Sequence, residues 1–119
     1  MKTTEFKLRP WPVRVCLVWN CTSRQYRDFI RQRAAGSNFK DPGPFAGFAW
    51  SSRKRGLIII GLDRWRGKTA DYQVLTHEVL HATFRVADWV GVKLCDGSEE
   101  TYTYVAEDLL RRCLEALKR

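Results

Sequence analysis

Apolar positions run almost unbroken through residues 13–19 (VRVCLVW), are rich in β-branched and aromatic side chains, and follow two prolines, which predicts a strand. From Thr22 or Ser23 to about Ala35 the spacing becomes helical: Tyr26, Phe29, Ile30 and Ala34 share a face, and Gly36 is the stop. Residues 36–44 (GSNFKDPGP) read as loop, and 45–50 and 56–62 as two strands joined through SSRKRG. A second helix is predicted over 69–88, capped by Thr69 or Asp71, with Tyr72, Leu75, Val79, Ala82 and Val86 as its core stripe. Residues 89–97 read as loop with room for a short strand. Ser98 then caps a last helix to about Lys118, whose stripe is Tyr102, Val105, Ala106, Leu109, Cys113 and Leu117. Three strands and three helices in imperfect alternation predict an α+β domain with a small mixed sheet.

Composition supports one folded unit. The chain has 119 residues, 45% of them hydrophobic, which is one domain's length with enough apolar surface for a core. The densest apolar run, Leu57 to Ile60, ends at Gly61 and Asp63, far short of the ~18 residues of a membrane span. Residues 1–12 alternate charge and bulk and contain no secretory core, so a cytoplasmic protein is expected, in the host cytoplasm if the source is a phage. Cys16, Cys21, Cys95 and Cys113 form no CxxC pair; Cys16 and Cys113 fall at apolar positions where a free thiol acts as a small hydrophobe.

Charge changes the picture more. Lys and Arg total 21 against 13 Asp and Glu, giving +8, and 14 of the 21 are Arg, the side chain best shaped for phosphate or carboxylate. They gather in 24–33, in Arg53-Lys54-Arg55, in 64–68 and at the C-terminus. A nucleic-acid or acidic-partner surface is one reading, and a merely solvated basic surface the other.

Both histidines of the chain stand in Leu75-Thr76-His77-Glu78-Val79-Leu80-His81-Ala82, an HExxH sequence inside the second helix. Residues four apart on a helix stack one above the other, so two imidazoles can reach one metal ion. Glu78 projects near the same edge, close enough to take a proton from water without ligating. Chance would produce this pattern from two histidines and six glutamates about once in a thousand such chains. A catalytic zinc needs a third protein ligand, and no histidine remains, which excludes the metzincins. Asp88 lies too far along the motif helix, Cys95 suits a structural site better, and Glu107 sits two turns into the last helix. Glu99 and Glu100 occupy that helix's first turn, where its dipole favours negative charge, and periodicity does not choose between them.

HExxH followed about twenty residues later by a helix-borne glutamate resembles the gluzincin arrangement. HEVLHATF followed by SEETYTYVAEDLL is similar to a family of small phage-encoded metallopeptidases that read HEAVHAAL and then QEPLAYLVEWI. The likeness covers about 30 residues in two blocks, and Thr101 and Tyr102 depart from the family's Pro-Leu. It implies a minimal zincin fold, one zinc ion held by His77, His81 and Glu100, and Glu78 as general base in peptide-bond hydrolysis. Tyr104, one turn beyond Glu100, could then donate a phenol to the oxyanion. Zincins also bind extended substrate along an edge strand ahead of the motif helix; 57–62 is too uniformly apolar for an edge, which favours 45–50. The rival expectation is a basic nucleic-acid- or nucleoprotein-binding module with a structural or vestigial metal site.

Overall fold

A computed structural model describes residues 1–118, and they form an α+β domain of a four-stranded mixed sheet and three helices. The strands are β1 (Lys2–Leu8), β2 (Val13–Trp19), β3 (Gly47–Ser52) and β4 (Leu57–Leu62), in the order β1-β2-β4-β3. β2 and β4 pair in parallel, with Cys16 opposite Ile59, while the outer strands pair antiparallel to them. The helices are α1 (Ser23–Arg33), α2 (Thr69–Trp89) and α3 (Glu99–Leu117).

Three strands were expected and four are present; β1 is the addition. Only Phe6 and Leu8 among its residues are large and apolar, and polar side chains alternate with them. That is the pattern of a strand with one wet face, too sparse to stand out from the terminal residues around it. The two central strands are apolar on both faces because helices cover both. Val15, Leu17, Ile58 and Ile60 pack with α2 and α3, while Cys16, Val18, Leu57 and Ile59 pack with α1.

Local chemistry sets the helix ends. Thr22 accepts from the Gln25 amide at 3.1 Å and Gln25 accepts in return from the Thr22 amide at 2.8 Å, a reciprocal cap on α1. At α2 the N-cap position is Lys68, and Asp71 does the capping from inside the first turn, accepting from the Arg66 amide at 2.8 Å and the Lys68 amide at 3.0 Å. Ser98 stands at the N-cap of α3 but makes no cap bond, because its hydroxyl donates backward to the Lys93 carbonyl and accepts from the Cys95 amide at 3.0 Å. The resulting 3₁₀ turn (Asp96–Ser98) closes the segment read as loop over 89–97, and the short strand for which it left room does not form.

The buried arc of α2 holds Leu75, Val79, Ala82 and Val86 as expected, and adds Asp71, Glu78, Thr83 and Ala87. Tyr72 is a correction: it is 45% exposed, with its ring against Trp65 at 4.9 Å between centroids. It lines the open end of the α2–α3 groove with Leu110 and Leu114, where no third layer covers it. In α3, Val105, Leu109, Cys113 and Leu117 are buried, whereas Tyr102 and Ala106 are only half-buried. No helix among the described residues is long and apolar enough to cross a membrane. All four cysteines are free; Cys95 is exposed and the other three are buried.

Candidate metal centre

Strand β3 is the sheet edge beside α2, and the HExxH turn lies against it. His77 and Glu78 line a groove with Phe45, Ala46, Gly47, Gln73 and Val74. His81 and Glu78 line the adjoining one with Gly47, Phe48, Ala49 and Arg85. The close approach depends on Gly47: a Cβ there would lie 2.6 Å from Val74 Cγ1 and 3.0 Å from Glu78 Cγ.

The imidazoles converge. His77 Nε2 and His81 Nε2 are 3.1 Å apart, with ring centroids separated by 4.7 Å. As a direct hydrogen bond this contact needs one Nε2 protonated and the other bare. Two nitrogens bound tetrahedrally to one zinc at 2.0–2.1 Å would stand about 3.3 Å apart, so the observed spacing accommodates a shared ion without rearrangement of the helix. Glu78 Oε1 lies 3.8 Å from His77 Nε2.

Glu78 is the unusual member. Only 5% of it is exposed, and its Oε2 is the buried side-chain oxygen or nitrogen with no hydrogen-bond partner among the described residues. An unpaired carboxylate oxygen in that setting is costly unless water or an ion serves it. Burial raises its pKa above the ordinary glutamate value, opposed by the charge of His77 and His81. Ligand atoms of His77, Glu78 and His81 all lie within 4.8 Å of one another, a group that can hold a metal ion.

Other residues expected at the site stand apart from this group. Glu99 and Glu100 are exposed in the first turn of α3, and neither belongs to the converging set. Tyr104 is 65% exposed on α3, and no α3 residue lines either groove beside the histidines. Cys95 is exposed and bonded to Ser98, outside the group. Sequence reasoning missed Arg85, which shares the His81 groove; the signal was its position one turn beyond His81, continuing the 77–81 spacing. It also missed Gly47 as the residue that admits Glu78 to the strand. The strand favoured for substrate, 45–50, overlaps β3, which is indeed the edge, while β4 lies inside the sheet.

No protein-family model matches this chain, and neither a curated protein nor a solved structure matches it.

Proposed function

We propose that the protein is a zinc-dependent peptide-bond hydrolase. The observation that carries this reading is the facing pair of imidazole nitrogens, 3.1 Å apart, beside the buried carboxylate of Glu78, whose Oε2 has no partner among the described residues. His77 and His81 would hold the ion, with Glu100, which stands outside the converging group, completing the protein ligands as the gluzincin likeness implies. Bound there, zinc would acidify a water molecule and polarise the scissile carbonyl. Glu78 accepts the attacking water's proton and delivers it to the leaving amine. An extended peptide pairs with the open edge of β3, which sets its backbone across the HExxH turn. For the developing oxyanion, Arg85 is a better placed donor than Tyr104, since it lines the groove with His81.

The test is elemental analysis of protein purified without added metal, combined with hydrolysis of unfolded protein substrates. One equivalent of zinc is expected in the wild type. Glu78→Gln should keep it while hydrolysis falls by about 10²–10⁴-fold, and His77→Ala and His81→Ala should lose it. A wild-type protein that binds no zinc on titration, or a fully active Glu78→Gln variant, overturns the proposal.

A further inference from the structure

We propose that the end of the sheet formed by the β1–β2 and β3–β4 turns binds single-stranded nucleic acid. The surface is independent of the metal centre. Pairing of β2 with β4 brings the two turns together: the Arg14 amide donates to the Gly56 carbonyl at 2.8 Å. They touch so closely that a Cβ on Gly56 would lie 2.7 Å from the Pro12 carbonyl oxygen. Two basic runs far apart in sequence, Lys7-Leu8-Arg9 with Arg14 and Arg53-Lys54-Arg55, thereby become one surface.

The C-terminal end of α1 extends it. Arg55 donates to the Ala35 carbonyl at 2.9 Å, and Arg33 pairs with Glu5, opposite Cys16 in the β1–β2 ladder. Glu5 is the acidic residue in this cluster, and Arg33 and Arg14 both bind it, Arg14 at 3.7 Å. Arg9, Arg53 and Lys54 are exposed and make no carboxylate pair among the described residues. The excess of positive charge here is therefore not spent within the chain.

A polyanion fits this surface, and the geometry favours a single strand of nucleic acid. Lys7, Arg9 and Arg14 line a groove of about 370 Å³ together with Pro10, Trp11 and Pro12. The half-buried Trp11 ring packs against the core from below, which holds it in place as a wall of the groove. One fixed aromatic flanked by guanidinium groups offers a stacking surface for a base and planar donors for the phosphates on either side. The groove takes a base, whereas a duplex keeps its bases stacked inside. An anionic membrane would use the charges but leave the aromatic groove without a role.

The proposal is tested by fluorescence anisotropy with a labelled oligothymidylate of about 20 nucleotides, its duplex counterpart, and vesicles containing phosphatidylserine. Wild-type protein should prefer the single strand and release it steeply as salt rises. The triple variant Arg9→Ala/Arg53→Ala/Lys54→Ala should bind at least about tenfold more weakly, with its salt slope reduced by about 2, from 0.7 per phosphate contact. Trp11→Leu should weaken binding about tenfold with little change in slope. A charge-matched control, Arg64→Ala/Lys93→Ala/Lys118→Ala, should retain near wild-type affinity. Equal loss in the control, unchanged binding in the turn variant, or tighter binding to duplex or vesicles would each overturn the assignment. Because the three turn side chains are exposed, thermal melts of that variant should match wild type.

Discussion

Gly47 and Glu78 share one small volume between β3 and α2: a Cβ added to the glycine would stand 3.0 Å from Glu78 Cγ, with Val74 Cγ1 nearer still at 2.6 Å. The absence of a side chain on the edge strand is thus what lets the HExxH helix lie against it, and what buries the carboxylate. Replacing Gly47 by Ala should cost about 1–3 kcal/mol through overpacking. Hydrolysis should fall further than stability, because the displaced group is the proposed general base. Adding Val74→Ala removes the tighter of the two contacts and should restore part of the melting temperature. Denaturation and turnover of the three variants check this; a Gly47→Ala protein with unchanged stability and activity would contradict it.

The third ligand separates the family likeness from the geometry. If Glu100 completes the set, Glu100→Ala should lower zinc affinity at least about tenfold, and Glu99→Ala should leave it intact. The reverse result would move the role to Glu99. Zinc titration with a competing chelator distinguishes them. Arg85→Ala should behave differently from either, keeping the metal while kcat/KM falls by about 10²-fold, as expected for loss of an oxyanion donor. If zinc affinity also collapsed in Arg85→Ala, the residue would belong to the scaffold of the site instead.

What the sequence disclosed depended on how local each signal was. HExxH lies within one and a half helical turns, so its helix and the facing of His77 and His81 follow from the 3.6-residue period alone. The apolar strands at 13–19 and 57–62 are local in the same way, as is the start of α1 at Thr22 or Ser23, although the return bond to Gln25 was not read from the sequence. β1 was missed because an edge strand with one dry face carries few apolar residues, and Phe6 and Leu8 are sparse evidence. Tyr72 was misassigned because a helical stripe does not reveal where its covering layer ends. Gly47 depends on which strand meets which turn of α2, a tertiary relationship that no spacing encodes; Arg85 continues the 77–81 spacing, but its groove exists only because β3 lies against that turn. The fate of Glu99 and Glu100 likewise turns on how α3 crosses α2, not on their place in the first turn.

Tyr26 predicts a stability effect at the same edge strand. Its hydroxyl accepts from the Trp50 amide at 3.1 Å and donates to the Ile59 carbonyl, so the phenol bridges the backbones of β3 and β4 where Trp50 and Ile59 face each other. Burial drives its pKa well above the ordinary tyrosine value, so it remains neutral and able to donate. Tyr26→Phe leaves the part-buried Trp50 amide and the buried Ile59 carbonyl without this partner and should cost about 1–3 kcal/mol. Hydrogen exchange at Trp50 should accelerate more than exchange in β2. Equal protection in the two proteins would mean the ladder closes without the phenol.

Asp71 supplies the expected acid sensitivity. Its carboxylate accepts from the Lys68 and Arg66 amides and lies 3.5 Å from the Arg66 guanidinium. The Lys68 amide contributes most to lowering its pKa below the ordinary aspartate value, with the Arg66 amide and charge assisting against the cost of burial. A carboxyl whose pKa is depressed on folding stabilises the protein fully above its unfolded value of about 3.9; that contribution declines as pH drops below this and is gone once pH has passed the lower folded value. Asp71→Asn should therefore be less stable than wild type by about 1 kcal/mol at neutral pH, through loss of the charged cap at the start of α2. The gap in melting temperature should narrow as pH is lowered from 7 through 4 toward 3. Melts of both proteins across that range decide it: a gap that stays constant or widens on acidification would show that the ionised carboxylate is not what anchors the helix start.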